Sequence, residues 1–126
     1  MTQAQGKNPE TISADEYERR LLTLLAKGGL AVGFPRRQRD RWILLHAIAS
    51  RFAPEERLSE IEATGRIGSF LRDSAPHWSM DRVNLRRALV DEGFLDRDPA
   101  GSDYRRSTRH RSRVTFGPTA QVEGPV

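Results

Sequence analysis

Apolar positions along this chain fall into four stretches with helical spacing and one stretch with strand-like alternation. Tyr17, Leu21, Leu24 and Leu25 form one stripe of a first helix. Ser13 and Glu16 stand before it in the S-x-x-E spacing that satisfies free amides at a helix start. Gly28 and Gly29 predict its end, so this element covers about residues 13–29. Pro35 suits the first turn of a second helix over about 36–52. There Leu45, Ile48 and Phe52 share one face, flanked by Trp42, Leu44 and Ala49, with Arg39, His46 and Ser50 opposite. Arg57-Leu58 reads as a short strand or bridge.

Ser59 and Glu62 repeat the capping spacing before a third helix over about 60–72, which carries Ile61, Ile67, Phe70 and Leu71. Gly65 and Gly68 predict that this helix is irregular or split. A fourth helix follows over 79–92, with Ser79 as its cap and Asp81 in its first turn. Leu85, Ala88 and Leu89 form its core face, Val83 and Val90 a second strip, and Gly93 its stop. "FLDRD", "PAGS" and "DYRRS" then read as strand, turn, strand, a hairpin that "RHRSRVTF" could extend. The expected fold is therefore mostly α with a small β-hairpin. Three helices and a two-stranded wing give a winged-helix order over residues 33–116, preceded by one extra N-terminal helix. Residues 1–12 are expected to be disordered, and 117–126 to be a flexible tail.

Charge sharpens this picture. The 126 residues carry a net charge of only +4, unevenly placed. Residues 36–57 hold six basic and three acidic side chains, a net +3, and residues 99–113 hold five arginines against Asp103, a net +4. Such clusters are the electrostatic footprint of a nucleic-acid binder. Only Lys7 and Lys27 are lysines, and a chain-wide arginine bias also arises from a GC-rich genome. There is no cysteine, so disulfides, zinc-thiolate sites and thiol catalysis are excluded. His46, His77 and His110 lack metal-ligand spacing, and no G-x-S-x-G, phosphate loop or H-E-x-x-H occurs. Neither an enzyme nor a cofactor is expected. With no apolar run or signal segment, the expected compartment is the cytoplasm.

The stretches "GFPRRQRDRWILLHAIASRF", "RLSEIE", "NLRRALVDEGFLDRD" and "GSDYRRS" together resemble a small bacterial domain of unknown function, number 2087, over about residues 33–106. "ATGRIGSFLRDSAPHWSM" departs from it. The resemblance implies a winged-helix fold and a role in transcription; it implies no known ligand or chemistry.

Winding the fourth helix at about 100° per residue turns Asn84, Arg87 and Asp91 away from the core face and sets Arg82 and Arg86 between the two apolar strips. In a winged helix this element enters the major groove. Asn84 and Arg87 would then read base edges, and Arg82 and Arg86 would meet phosphates. Arg97, Arg105 and Arg106 on the wing would hold the DNA backbone, extended by Arg109, Arg111 and Arg113. The opposing expectation is that Arg87 neutralises Asp91 and that Arg86 lies across apolar neighbours. An alternative function is a protein-interaction module that docks to another regulator, RNA polymerase or structured RNA. Tyr17, Leu21, Leu24 and Leu25 either pack back on the domain or pair with a second copy, and a homodimer is the favoured expectation.

Overall fold

In the computed structural model, residues 8–26, 33–78, 80–100 and 102–117 are described. Helix α1 spans Ala14–Leu25, α2 Gln38–Ala49, α3 Glu60–Ser74 and α4 Arg82–Asp91. Strand β1 is Glu10–Ile12, β2 Leu95–Arg97, β3 Tyr104–Arg106 and β4 Val114–Phe116, with a 3₁₀ turn at Arg109–Ser112 before β4. The fold is mostly helical with a small antiparallel hairpin. β2 and β3 pair with Leu95 opposite Arg106 and Arg97 opposite Tyr104. Leu58 makes a single antiparallel bridge to Tyr104, placing a third short backbone segment beside the hairpin.

The caps account for the helix starts. Ser59 and Glu62 close a reciprocal capping box on α3. Ser13 accepts the Glu16 amide at α1, while the Glu16 carboxylate turns to Arg39 instead. At α4 the cap is Asp81, whose carboxylate accepts the Val83 amide, so the helix begins two to three residues later than the sequence predicts. Ser79, Gly28 and Gly29 lie outside the described residues.

α3 is continuous across Gly65 and Gly68, where an irregular helix was expected. A Cβ at Gly68 would lie 2.8 Å from the Arg82 guanidinium. That glycine accommodates a side chain of α4 and does not break α3. Ile61, expected on the apolar face, is 85% exposed.

Leu45, Ile48, Phe52, Leu85, Leu89 and Leu95 share one core, with Leu71 packed at its edge. On the face of α2 expected to meet solvent, His46 is buried against α1, while Arg39 and Ser50 are partly exposed. Tyr17 and Leu24 are buried there, and Leu21 and Leu25 pack against the same core. This packing uses within one chain the stripe from which a homodimer was expected; a dimer through Tyr17, Leu21, Leu24 and Leu25 would have to displace it. Two arginine forks stitch α1 to α2. Arg20 is bidentate on Asp40, and Arg39 reaches Glu16, Glu10 and the Thr11 carbonyl.

The chain ends also differ from expectation. Residues 10–12 do not remain disordered; they form β1, with Ile12 fully buried. "RHRSRVTF" does not lengthen the hairpin: it makes the 3₁₀ turn and then β4, which pairs in parallel with β1 through Glu10–Val114, Thr11–Thr115 and Ile12–Phe116.

Gly93 turns the chain from α4 into the hairpin at φ +85°, and a Cβ there would lie 2.7 Å from the His110 amide nitrogen. Gly93→Ala therefore combines a left-handed backbone cost of roughly 1–2 kcal/mol with a steric clash. Urea denaturation should show a stability loss of about 2 kcal/mol or more. An unchanged midpoint would contradict this reading of the corner.

Candidate nucleic-acid interface

α4 stands on Leu85 and Leu89, both fully buried. This orientation leaves Asn84, Arg87 and Asp91 exposed, as the helical winding predicts, and exposes Arg82 as well, which the winding set between the two apolar strips. The hairpin is set against its C-terminal end by the 3₁₀ turn. Arg109 donates to the Val90 and Leu95 carbonyls and pairs with Asp96 at 2.7 Å. The His110 amide and Nδ1 both lie within hydrogen-bonding distance of the Gly93 carbonyl. His110 also stacks on Phe94 at 4.2 Å.

The eight arginine and asparagine positions proposed from sequence separate by environment. Arg86 has a side chain only 11% exposed. It donates to Thr64 at 2.7 Å, pairs with Glu60 at 3.2 Å and lies over the Tyr104 ring. It ties α3, α4 and β3 together. Arg109 is engaged as described above. Arg106 is half-buried and lines a separate cavity with His46, His110 and Arg111.

The side chains of Arg82, Arg87, Arg97 and Arg105 have no ion pair or hydrogen-bond partner among the described residues, and the Arg87–Asp91 pair weighed from the sequence is not formed. Arg87 and Arg97 line one open cleft of about 430 Å³ with Arg86, Tyr104, Glu60 and Asp91. Arg97 also lines the adjoining cleft with Arg105 and Arg57. Arg97 is thus common to both clefts, the second of which is also lined by Asp96, Asp98 and Asp103. At the hairpin tip, Asp98 is occupied by the amides of Ser102 and Asp103, which keeps its carboxyl below the usual range.

Sequence reasoning missed Arg57, Glu60 and Tyr104 as neighbours of this face. Each sits beside a recognised turn, bridge or strand, but only the Leu58–Tyr104 bridge brings them to α4. The "RRQRDR" cluster, by contrast, is partly structural. Arg39 and Arg41 are engaged with neighbouring groups, and Asp40 is buried against Arg20 from α1.

Residues 32–106, more than half of the chain, match the family of uncharacterized proteins conserved in bacteria termed DUF2087. The chain belongs to this family. The matched span runs from just before α2 through β3, so it contains α4, the hairpin and the Leu58 bridge, while α1 and β4 lie outside it. No curated protein and no solved structure matches the chain. Among the described residues, no group of three or more histidine, cysteine or acidic side chains could hold a metal ion, and no helix is long and apolar enough to cross a membrane.

Behind this face, His46 is 5% exposed, with Nδ1 2.7 Å from the Tyr17 hydroxyl. Burial, reinforced by the charges of Arg106, His110 and Arg111, pushes its pKa down to about 3. The folded protein therefore holds His46 neutral, whereas the unfolded chain protonates it below its ordinary value of 6.5. Stability is full above pH 6.5 and falls as the pH drops toward 3. Between pH 7 and 5 His46 alone should remove about 2 kcal/mol, before the carboxylates titrate. His110, shifted in the same direction by burial, adds to the loss. Urea midpoints at the two pH values measure the effect, and His46→Gln should flatten the slope. A His46 ring signal titrating near its ordinary value would refute the assignment.

Proposed function

We propose that this DUF2087 protein is a winged-helix DNA-binding protein acting in transcriptional control. The order α2, Leu58 bridge, α3, α4, β2, β3 supports this reading, in which α4 would be the recognition helix and the hairpin the wing. The observation that carries the reading is the run of partnerless arginines, Arg87, Arg97 and Arg105, across two adjoining clefts. Arg19, Arg36, Arg37 and Arg111 are unpaired as well among the described residues, but Arg87, Arg97 and Arg105 line two clefts that share Arg97, and unpaired cations grouped in this way suit an external polyanion. In this reading the exposed Asn84 and Arg87 meet base edges, while Arg82, Arg97 and Arg105 meet phosphate oxygens. In this reading Arg86 and Arg109 act by positioning α4 and the wing. Arg106 belongs to a different surface.

A second reading, a protein-interaction module, rests on the acids that share these clefts with the arginines, Glu60 and Asp91 in the first and Asp96, Asp98 and Asp103 in the second. Mixed charge of that kind suits a protein surface better than a duplex.

Salt-dependent binding to duplex DNA separates the two. Arg97→Ala combined with Arg105→Ala should weaken binding to every sequence alike. It should also flatten the plot of log affinity against log salt by about two units, since each phosphate contact releases about one counterion. Arg87→Ala should leave the slope nearly unchanged and lose roughly 1–3 kcal/mol of discrimination at one base pair. Because none of the three side chains has an internal partner, the variants should keep wild-type stability. Absence of duplex binding by the wild type at low salt would overturn the DNA reading and favour the interaction module.

A further inference from the structure

Arg86 holds its acid differently from the other bridging arginines. Arg20, Arg39 and Arg66 reach Asp40, Glu16 and Glu56 through aligned hydrogen bonds. Arg86 Nη1 donates to Thr64 at 2.7 Å, and the guanidinium lies over the Tyr104 ring, 5.5 Å from its centre. Its Nη2 stands 3.2 Å from a Glu60 carboxylate oxygen, but no hydrogen bond accompanies this ion pair. Among the described residues Nε and Nη2 thus donate to no acceptor. They belong to a side chain only 11% exposed, whereas that of Glu60 is 55% exposed. Arg86 lines the cleft of about 430 Å³ together with the unpaired Arg87 and Arg97.

We propose that Arg86 is the fixed floor of a phosphate seat, and that Glu60 is an internal stand-in displaced when a phosphate of the DNA backbone enters the cleft. The seat lies within the proposed DNA interface, and its assignment rests on that reading. Thr64 and Tyr104 fix the guanidinium plane, so its open donors meet an anion without reorganising. Nearly buried donors without an acceptor gain most from one that aligns with them. A phosphate has oxygens enough to accept from Arg86 and, at the same time, from Arg97 on the hairpin side. Glu60 yields readily, because its half-exposed carboxylate returns to water and so exposed a pair contributes little. The cleft sets three guanidiniums against the carboxylates of Glu60 and Asp91. With Glu60 turned outward, the entering anion faces three cations and one acid. Arg86 in this way both positions α4 and supplies a backbone contact.

The Glu60 carboxyl carbon and the Arg86 guanidinium nitrogens report the exchange directly by NMR. They are followed while a short random-sequence duplex is added at low salt, and separately with inorganic phosphate at millimolar concentration. Sodium chloride at matched ionic strength controls for screening. The expected result is a saturable shift of both signals with the duplex and not with chloride, Glu60 moving toward the position of a solvated glutamate. Amide shifts from duplex binding with Glu60 and Arg86 unmoved would overturn the seat and leave the DNA reading standing. No response to the duplex would overturn the DNA reading; a response of both signals to inorganic phosphate would then keep the seat for a free phosphate, and no response to either would overturn both.

The capping box of α3 uses Ser59 and Glu62, so Glu60→Gln should fold as the wild type does. It should bind the duplex about two- to fivefold more tightly, the release of one exposed ion pair. Asp91→Asn removes an acid from the same cleft without freeing Arg86, and should gain less. Equal gains for the two variants, or none for Glu60→Gln, would overturn the role of Glu60.

Discussion

The corner at Gly93 fixes the hairpin against α4, and the candidate interface depends on it. α4 ends in a Schellman arrangement: the Phe94 amide bonds the Leu89 carbonyl, and the Gly93 amide bonds that of Val90. The left-handed φ of Gly93 is what allows both bonds. The freed Gly93 carbonyl then faces His110, while Arg109 meets the Val90 and Leu95 carbonyls. One residue without a Cβ thus lets a distant turn pack onto a helix end. Without that packing, Arg97 and Arg105 would have no fixed position relative to Arg87.

The second constraint is electrostatic. The chain is rich in arginine, and folding divides these side chains into two groups. Arg20, Arg39, Arg66 and Arg86 pair with acids at 2.7–3.2 Å, three of them bridging segments distant in sequence and Arg66 holding the Glu56 carboxylate near the start of α3. Such partly buried, forked pairs give geometry as well as energy. Arg82, Arg87, Arg97 and Arg105 remain outside this network and face solvent around α4 and the hairpin. The same residue type therefore builds the scaffold and supplies the surface that the proposed function uses.

Much of the fold was legible in the sequence. Capping spacings located α1 and α3, and apolar periods located the faces of α2 and α4. Gly93 marked the end of α4, and the alternation around "PAGS" marked the hairpin. Periodicity fails where one element is covered from two sides. The polar-looking face of α2 is partly covered by α1, and His46 is buried there against Tyr17, 29 residues away in sequence. Composition could not reveal β1 either. "ETI" becomes a strand only because β4 returns beside it, a non-local pairing that three residues cannot announce. Of the candidate site, the exposure of Asn84 and Arg87 followed from helical winding alone. The separation of Arg86, Arg106 and Arg109 from the free arginines did not, since it depends on Thr64, Tyr104, Asp96 and a backbone carbonyl brought close by the tertiary fold.

The central claim is that α4 and the hairpin present one face to a duplex. Mapping amide NMR shifts on adding a short random-sequence duplex at low salt tests it most directly. The account predicts that perturbations concentrate at Arg82–Arg87, Arg97 and Arg105, and leave α1 and the buried face of α2 unchanged. Perturbations centred instead on Arg36 and Arg37, or spread evenly over all exposed arginines, would contradict it.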